Sequence, residues 1–219
     1  MSRLGAAWSW VVDESFQREL STLDRSLGAE SIAPVQPWKI LSQRNILERR
    51  WLSISEERVE LPNGTVIDEF HVLHTPDWAS VIALTGAGDP DSEIVMVEQY
   101  RHGLGRTSLE FPAGVIDAGE TPLAAAQREL REETGYTAST WQPLIVMSPE
   151  PARSTHRAHF FLATGAEFVG PAQPEASEVI TVRRCPVRYL LDEIAQGHLV
   201  HASHIAAVLL AARRGFLRL

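Results

Sequence analysis

Cysteine is almost missing from this chain: among 219 residues only Cys185 carries a thiol. One thiol excludes an intramolecular disulfide and any metal site built from several cysteines. Lying just before Pro186, it reads as a half-buried apolar filler rather than a reactive nucleophile. Long apolar runs are also lacking, and none approaches the ~20 residues of a membrane-spanning helix. Met1 to Val12 carries a single Arg and is followed by Asp13 and Glu14, without a signal-peptide pattern. A cytoplasmic location is the resulting expectation. Positive charge is in deficit too. The formal net charge is −8, so neither nucleic acid nor an acidic membrane is a favoured partner. The same charge repels a free phosphorylated ligand. A phosphate site here therefore needs local cations, either bound metal or a few placed arginines.

What is present suits a globular protein: 44% of residues are hydrophobic and 22% charged, enough to bury a substantial core in one large domain, or in one domain with a small appendage. No internal repeat or low-complexity tract is visible. From Ala6 to Leu27, Trp8, Val11, Val12, Phe16, Leu20, Leu23 and Leu27 recur at roughly helical spacing, predicting an N-terminal helix. From Trp38 to His74 the pattern turns strand-like, with Pro62-Asn63-Gly64 as a hairpin connection into Val66 to Val72. Short apolar runs at Val81 to Leu84 and Ile94 to Val97 flank a turn at Gly86 to Ser92. A helix follows, with Thr121 as N-cap, Pro122 at its first position and Gly135 at its left-handed C-terminal position. Leu144 to Met147, His159 to Ala163 and Val179 to Val182 read as strands, and Val187 to Ala195 and Ile205 to Arg213 as helices. Strands and helices are interspersed without strict alternation, so the expected fold class is α/β (α+β), a mixed sheet covered by helices.

The chemistry concentrates in the helix after Thr121. Glu129 and Glu133 are spaced i, i+4 and share one face, with Glu132 beside them. Like charges at that spacing destabilise a helix, and carboxylates near its C-terminus oppose the macrodipole. A face that accepts both costs suits a hard divalent cation, Mg²⁺ or Mn²⁺, whose preferred ligands are carboxylate and carbonyl oxygens. Leu123, Ala126 and Leu130 are expected on the opposing face, against a sheet. Arg128 can orient a carboxylate through a bidentate contact. Gly114 lets the backbone bend so that the carbonyl of Ala113 can turn toward a metal.

Read together, Gly114, Glu120, Arg128, Glu129, Leu130, Glu132, Glu133 and Gly135 resemble the Nudix signature G-x5-E-x7-R-E-U-x-E-E-x-G-U, where U is aliphatic. Its fixed identities would coincide by chance in such a chain roughly once in a million. The one departure is Tyr136 at the final aliphatic position, on the expected packing side. The resemblance implies an α/β/α sandwich with a mixed sheet, preceded here by an N-terminal extension. It divides the chain into a helical extension over 1–37, a β-hairpin region over 38–75 that can serve dimerisation, and a hydrolase domain over 76–219 with the signature at 114–136. In that family the residues matching Glu129, Glu132 and Glu133, with the carbonyl matching Ala113, hold divalent metal. Arg128 then orients a carboxylate, and Glu120 ties the loop to the helix.

Gln99-Tyr100-Arg101, the Leu109 to Gly114 run, Gly119 to Pro122 and Pro151 resemble the ADP-ribose pyrophosphatase branch more narrowly. That likeness implies a metal-dependent pyrophosphohydrolase acting on ADP-ribose or a related nucleoside diphosphate sugar, working as a homodimer on this small-molecule substrate. It casts Arg101 as a phosphate contact and Glu110 as a neighbour of metal and ribose; the alternatives are a surface ion pair and a supporting role. His156, Glu150 and Glu178 are the candidates for a catalytic base. Arg153 and Arg157 could grip a terminal sugar phosphate, and Trp51 and Trp78 could stack a base or simply fill core. NADH, GDP-mannose and dinucleoside polyphosphates are alternative substrates. Beyond enzymes, an ADP-ribose-binding module without turnover would go with an eroded signature, and a scaffold would need no metal.

Overall fold

A computed structural model describes residues 35–219, and the helix expected over Ala6 to Leu27 lies outside them. The described chain begins with a three-stranded antiparallel sheet: β1 (Lys39–Glu48), β2 (Ser53–Glu60) and β3 (Val66–His74). β2 and β3 are joined at Pro62-Asn63-Gly64. There the Leu61 amide donates to Thr65 O at 2.8 Å, and Gly64 takes a φ of 81° that its missing Cβ permits.

The second sheet has seven strands: β4 (Trp78–Leu84), β5 (Glu93–Arg101), β6 (Arg106–Glu110), β7 (Ala113–Val115), β8 (Tyr136–Met147), β9 (Ala158–Phe168) and β10 (Ile180–Pro186). Its main path runs β10-β5-β4-β9-β8, with β4 and β9 parallel and the other pairs antiparallel, so the sheet is mixed. β4 and β5 touch only through Ala83–Val95 and Leu84–Ile94. Beyond that contact they part. β5 continues against β6, and the start of β4 pairs with β7. The gap is closed by the short Phe111-Pro112 link, which places Glu110 and Ala113 where the sheet splits.

Alternation along β4 explains the layers. Ala79, Val81 and Ala83 face one side, with Val95, Phe161 and Ala163, and helix α1 (Pro122–Thr134) lays Ala125, Ala126 and Leu130 on them. The small side chains let the helix approach closely. Ile82 and Leu84 face the other side with Ile94, Met96, Phe111, Phe160 and Leu162. That side is covered by a 3₁₀ turn (Val187–Tyr189), α2 (Leu190–Ala195) and α3 (Ala202–Arg213). The result is a helix–sheet–helix sandwich, the class expected from the interspersed pattern. No helix among the described residues is long and apolar enough to cross a membrane.

Several boundaries differ from the sequence reading. β6 and β7 carry no alternation long enough to mark them. β8 begins at Tyr136, directly after the helix cap, rather than at Leu144, because its first half pairs with the far end of β9. The strand expected from Val179 starts at Ile180, leaving Val179 exposed. Leu123 does not join the apolar face of α1 but stays 37% exposed; Ala125 takes the place expected for it. Cys185 is buried, and burial pushes its thiol up to about 11, consistent with an inert filler.

The caps of α1 follow the expectation. Thr121 Oγ1 accepts from the Ala124 amide at 3.2 Å, and the Gly135 amide donates to Arg131 O at 2.8 Å with φ 75°. A Cβ at Gly135 would land on the Gly170 carbonyl. Gly135→Ala is therefore expected to cost at least about 1–2 kcal/mol, the penalty of a left-handed L-residue before any clash. Urea denaturation followed by circular dichroism measures it, and an unchanged midpoint would show that the cap relaxes freely.

Candidate active site

The helix macrodipole and like-charge repulsion disfavour the acidic cluster of α1, and its surroundings show how the cost is offset. Glu129 and Glu133 are not on a solvated face opposite the apolar one. Both belong to the buried side of the helix, with Glu133 only 2% exposed, wedged between α1 and β7. The Ala113 amide donates to Glu133 Oε2 at 3.0 Å. Gly114 lies so close to Glu129 that an added Cβ would collide with its carboxylate. The conformational freedom of Gly114 matters less than its missing side chain, which makes room for the acid.

Arg128 ties the cluster together. Its guanidinium reaches Glu120 through Nε and Nη2 at 3.0 Å each, Glu129 Oε1 at 2.7 Å, Glu132 Oε2 at 3.2 Å and the Val115 carbonyl at 3.0 Å. One planar cation therefore fixes the loop before α1, the helix and β7. Glu120 is lowered from the usual carboxylate value by its hydrogen bonds to Arg128.

Glu178 arrives from the segment before β10, and one carboxylate oxygen each from Glu129, Glu133 and Glu178 lie within 4.8 Å of one another. Glu132 is not part of this triad; its half-exposed carboxylate turns to Arg128 instead. Burial pushes Glu133 up to about 9, helped by the Glu129 charge. Burial also lifts Glu129 to about 7 against the lowering pull of Arg128. Close-packed carboxylates that resist ionisation are a donor set in want of positive charge. Their hard oxygens fit a divalent cation.

Beyond the acids, at the split in the sheet, Arg101 forks onto Glu110: Nε to Oε1 at 2.9 Å and Nη2 to Oε2 at 2.6 Å. Glu110 is buried and the guanidinium is partly open. Arg101 also feels the charges of Glu133 and Glu178, which places it on the rim of the acidic triad. A cavity of about 570 Å³ opens there, lined by Arg101, Glu110, Ala113, Gly114, Trp78 and the start of α3.

The other sequence candidates sit apart from the triad. Glu150 and Arg153 pair with each other at 3.0 Å, both half exposed. His156 Nδ1 is held by Thr75 Oγ1 at 2.8 Å and Ser154 Oγ at 2.6 Å. The Arg157 amide donates to Asp77 Oδ1 at 2.7 Å. Trp51 is 54% exposed beneath the Arg50 guanidinium, 4.3 Å from the ring centre. Trp78 opens β4 and lines the cavity, packed edge-on with Phe160 and His201. Sequence reasoning missed Ser108, His201 and His204, which also line the cavity. The His-x-x-His spacing at a helix start was the available signal, but nothing in the sequence brought it to β6.

Because the folded state holds Glu133 protonated up to about 9 while an unfolded Glu ionises near 4.5, folding is favoured below 4.5 and loses stability as pH climbs toward 9. Thermal melts in EDTA should fall across that window, and Glu133→Gln should flatten the fall. A wild-type melting temperature independent of pH there would contradict the burial of these acids.

Residues 75–207 match the NUDIX domain family, and residues 38–73 match the nucleoside diphosphate sugar hydrolase N-terminal domain. The chain is 36% identical over 159 residues to an ADP-ribose pyrophosphatase of Mycobacterium tuberculosis, covering 72% of this chain and 74% of that protein. It is 38% identical over 125 residues to an ADP-ribose pyrophosphatase of Bacillus subtilis, covering 57% and 65%. A crystal structure of an ADP compounds hydrolase shares the fold, with a TM-score of 0.71 at 20% identity over 84% of this chain and 96% of that one. With a domain match over more than half its length and a relative aligned across most of both proteins, this chain belongs to the Nudix family of hydrolases.

Proposed function

We propose that this protein is a metal-dependent pyrophosphohydrolase that splits the diphosphate of ADP-ribose or a related nucleoside diphosphate sugar into a nucleoside monophosphate and a sugar phosphate. The observation that carries the reading is the triad of Glu129, Glu133 and Glu178, within reach of the charge of Arg101, whose forked pair with Glu110 lines a cavity large enough for a sugar or a base. The relatives named as ADP-ribose pyrophosphatases, and the match to the nucleoside diphosphate sugar hydrolase N-terminal domain, support the substrate class.

Glu129 and Glu133, with Glu132 turning in from Arg128 and the Ala113 carbonyl, would hold Mg²⁺ or Mn²⁺. Bound there, the ion supplies charge to the diphosphate oxygens and lowers the pKa of water. The protein's own groups do the rest. Arg128 keeps the carboxylates oriented, and Gly114 keeps β7 close enough for the triad to form. Arg101 presents its outer N–H groups to a substrate phosphate while Glu110 fixes the plane of the guanidinium. Glu178 comes from a separate segment, outside the helix that carries Glu129 and Glu133, and reaches the triad. It is the carboxylate best placed to take the proton of the attacking water. Glu150 and His156 are each engaged by neighbours outside the triad.

The 38–75 sheet supports a homodimer: among the described residues β1 leaves Ile40 and Ile46 exposed, with Trp38 beside them, on an edge that pairs only with β2. A single thiol, with no second cysteine for a disulfide, goes with a cytoplasmic place of work.

Glu133→Gln should lower kcat by several orders of magnitude, and Glu178→Gln by about a hundredfold or more, with both folds intact. Glu150→Gln should cost less than about tenfold. Release of AMP from ADP-ribose, with Mg²⁺ and with EDTA, is the measurement. Metal-independent turnover, or a Glu178→Gln enzyme of full activity, would remove the assigned roles. Light scattering at micromolar concentration should return twice the mass of one chain; a monomer would count against the dimer.

A further inference from the structure

A second cavity, of about 390 Å³, shares no lining residue with the first. The partition between the two is one strand thick. Along β6, Ser108 and Glu110 line the first cavity while Thr107 and Leu109 line the second, the alternation that any strand imposes. The connection between α2 and α3 extends the partition. There the Leu109 amide donates to His198 O at 2.9 Å; His198 lines the second cavity, and Val200 and His201 line the first. None of the machinery described above uses the second cavity, although its volume lies in the range of roughly 300–1,000 Å³ common to small-molecule sites.

Three arginines reach this space, Arg106 from β6 and Arg183 and Arg184 from β10, in a chain whose net charge is −8. The acids around them are already matched. Glu98 Oε2 takes Arg183 Nε at 2.8 Å and Nη2 at 2.7 Å, which leaves Nη1 of that guanidinium available. Glu93 pairs with Arg184 at 3.0 Å, and Glu193 Oε2 lies 2.7 Å from His198 Nδ1. Arg106 differs. It is exposed, and its side chain has no ion pair or hydrogen bond among the described residues. Its Nη2 sits beside Gly197, 3.9 Å from where a Cβ would stand, yet it donates to none of the carbonyls that end α2. Capping that helix is therefore not its role. The cavity keeps one cation in reserve after each carboxylate on its wall has a partner.

We propose that this second cavity binds a phosphate monoester, with Arg106 and Arg183 on the phosphate and the Thr107 hydroxyl beside them. These donors come from two strands, and His198 adds a third direction from the α2–α3 connection. A tetrahedral phosphate offers acceptors along all of those directions, whereas a carboxylate offers them in one plane. The rest of the wall is Leu109, Cys185, Pro186 and the ring of Tyr189, an apolar surface suited to the organic group that the phosphate carries. The proposal stands apart from the reaction assigned above, because neither the acidic triad nor the Arg101–Glu110 fork lines this cavity.

Calorimetric titration of the full chain in EDTA, at constant ionic strength, tests this with ribose 5-phosphate, inorganic phosphate and acetate. Arg101→Gln serves as the background, so that a phosphate contact in the first cavity does not enter the reading. Ribose 5-phosphate should bind that protein saturably, inorganic phosphate more weakly, and acetate not measurably. Adding Arg106→Gln should weaken ribose 5-phosphate by about tenfold or more, the loss of a charge-assisted hydrogen bond. Adding Thr107→Val should weaken it by about threefold or more, the loss of a neutral one. Arg106→Gln should leave the melting temperature unchanged, since it alters an exposed side chain that has no partner. Absence of binding in the Arg101→Gln background would place the anion in the first cavity or nowhere. Binding that survives Arg106→Gln would place it at another surface, and acetate binding as well as phosphate would make this a general anion site. Weaker binding with a lower melting temperature in Arg106→Gln, and no change in Thr107→Val, would reduce Arg106 to a structural role. Each of these results overturns the proposal.

Discussion

Two carboxylates forced into the interface between a helix and a strand set the terms for this half of the molecule. Glu129 and Glu133 could lie on a solvated helix surface at little cost. Instead they are pressed against Ala113 and Gly114, where burial holds both toward neutrality. Three nearby features reduce that cost. A backbone amide meets Glu133, an arginine meets Glu129, and a missing side chain at Gly114 makes the space. The remaining deficit of positive charge defines what the site can bind.

The sheet serves that interface. β4 pairs with β5 for only two residues before the strands part, and β6, the Phe111-Pro112 link and β7 fill the opening. This places the Arg101–Glu110 pair and the acidic triad at one break in the hydrogen-bond network. Ligands of open sheets gather where strands diverge, because backbone ends and side chains from several segments can converge there. Here the segments come from β5, β6, β7, α1, α3 and the run before β10, so no short stretch of sequence contains the site.

That dispersal explains what the sequence could and could not disclose. The helix from Thr121 to Gly135 was legible to the residue, because capping and carboxylate spacing are local. Arg128 and Gly114 were legible for the same reason. The burial of the acidic face was not: i, i+4 spacing shows that Glu129 and Glu133 share a side, but only the nearness of β7 shows that this side is interior. Leu123 was misplaced by the same ignorance, since an apolar residue in the first turn looks like core until the sheet's position is known. Glu178 was visible only as one of three acid–base candidates. Its approach to Glu129 depends on the antiparallel docking of β10 on β5. Ser108 and His201 left almost no trace, being ordinary residues until a cavity joins them.

The two sheets also meet away from this site. Leu73, near the end of β3, donates its amide to Arg153 O at 2.8 Å and accepts from the Thr155 amide at 3.0 Å. The loop that leads into β9 is thus stitched by its backbone to the small sheet, and at Arg157, whose carbonyl accepts from the Trp78 amide at 3.1 Å, to β4 of its own. Any force that tilts the small sheet, including one exerted through its outer strand, must drag that loop with it. The length of the loop is therefore constrained by geometry that lies in another part of the fold.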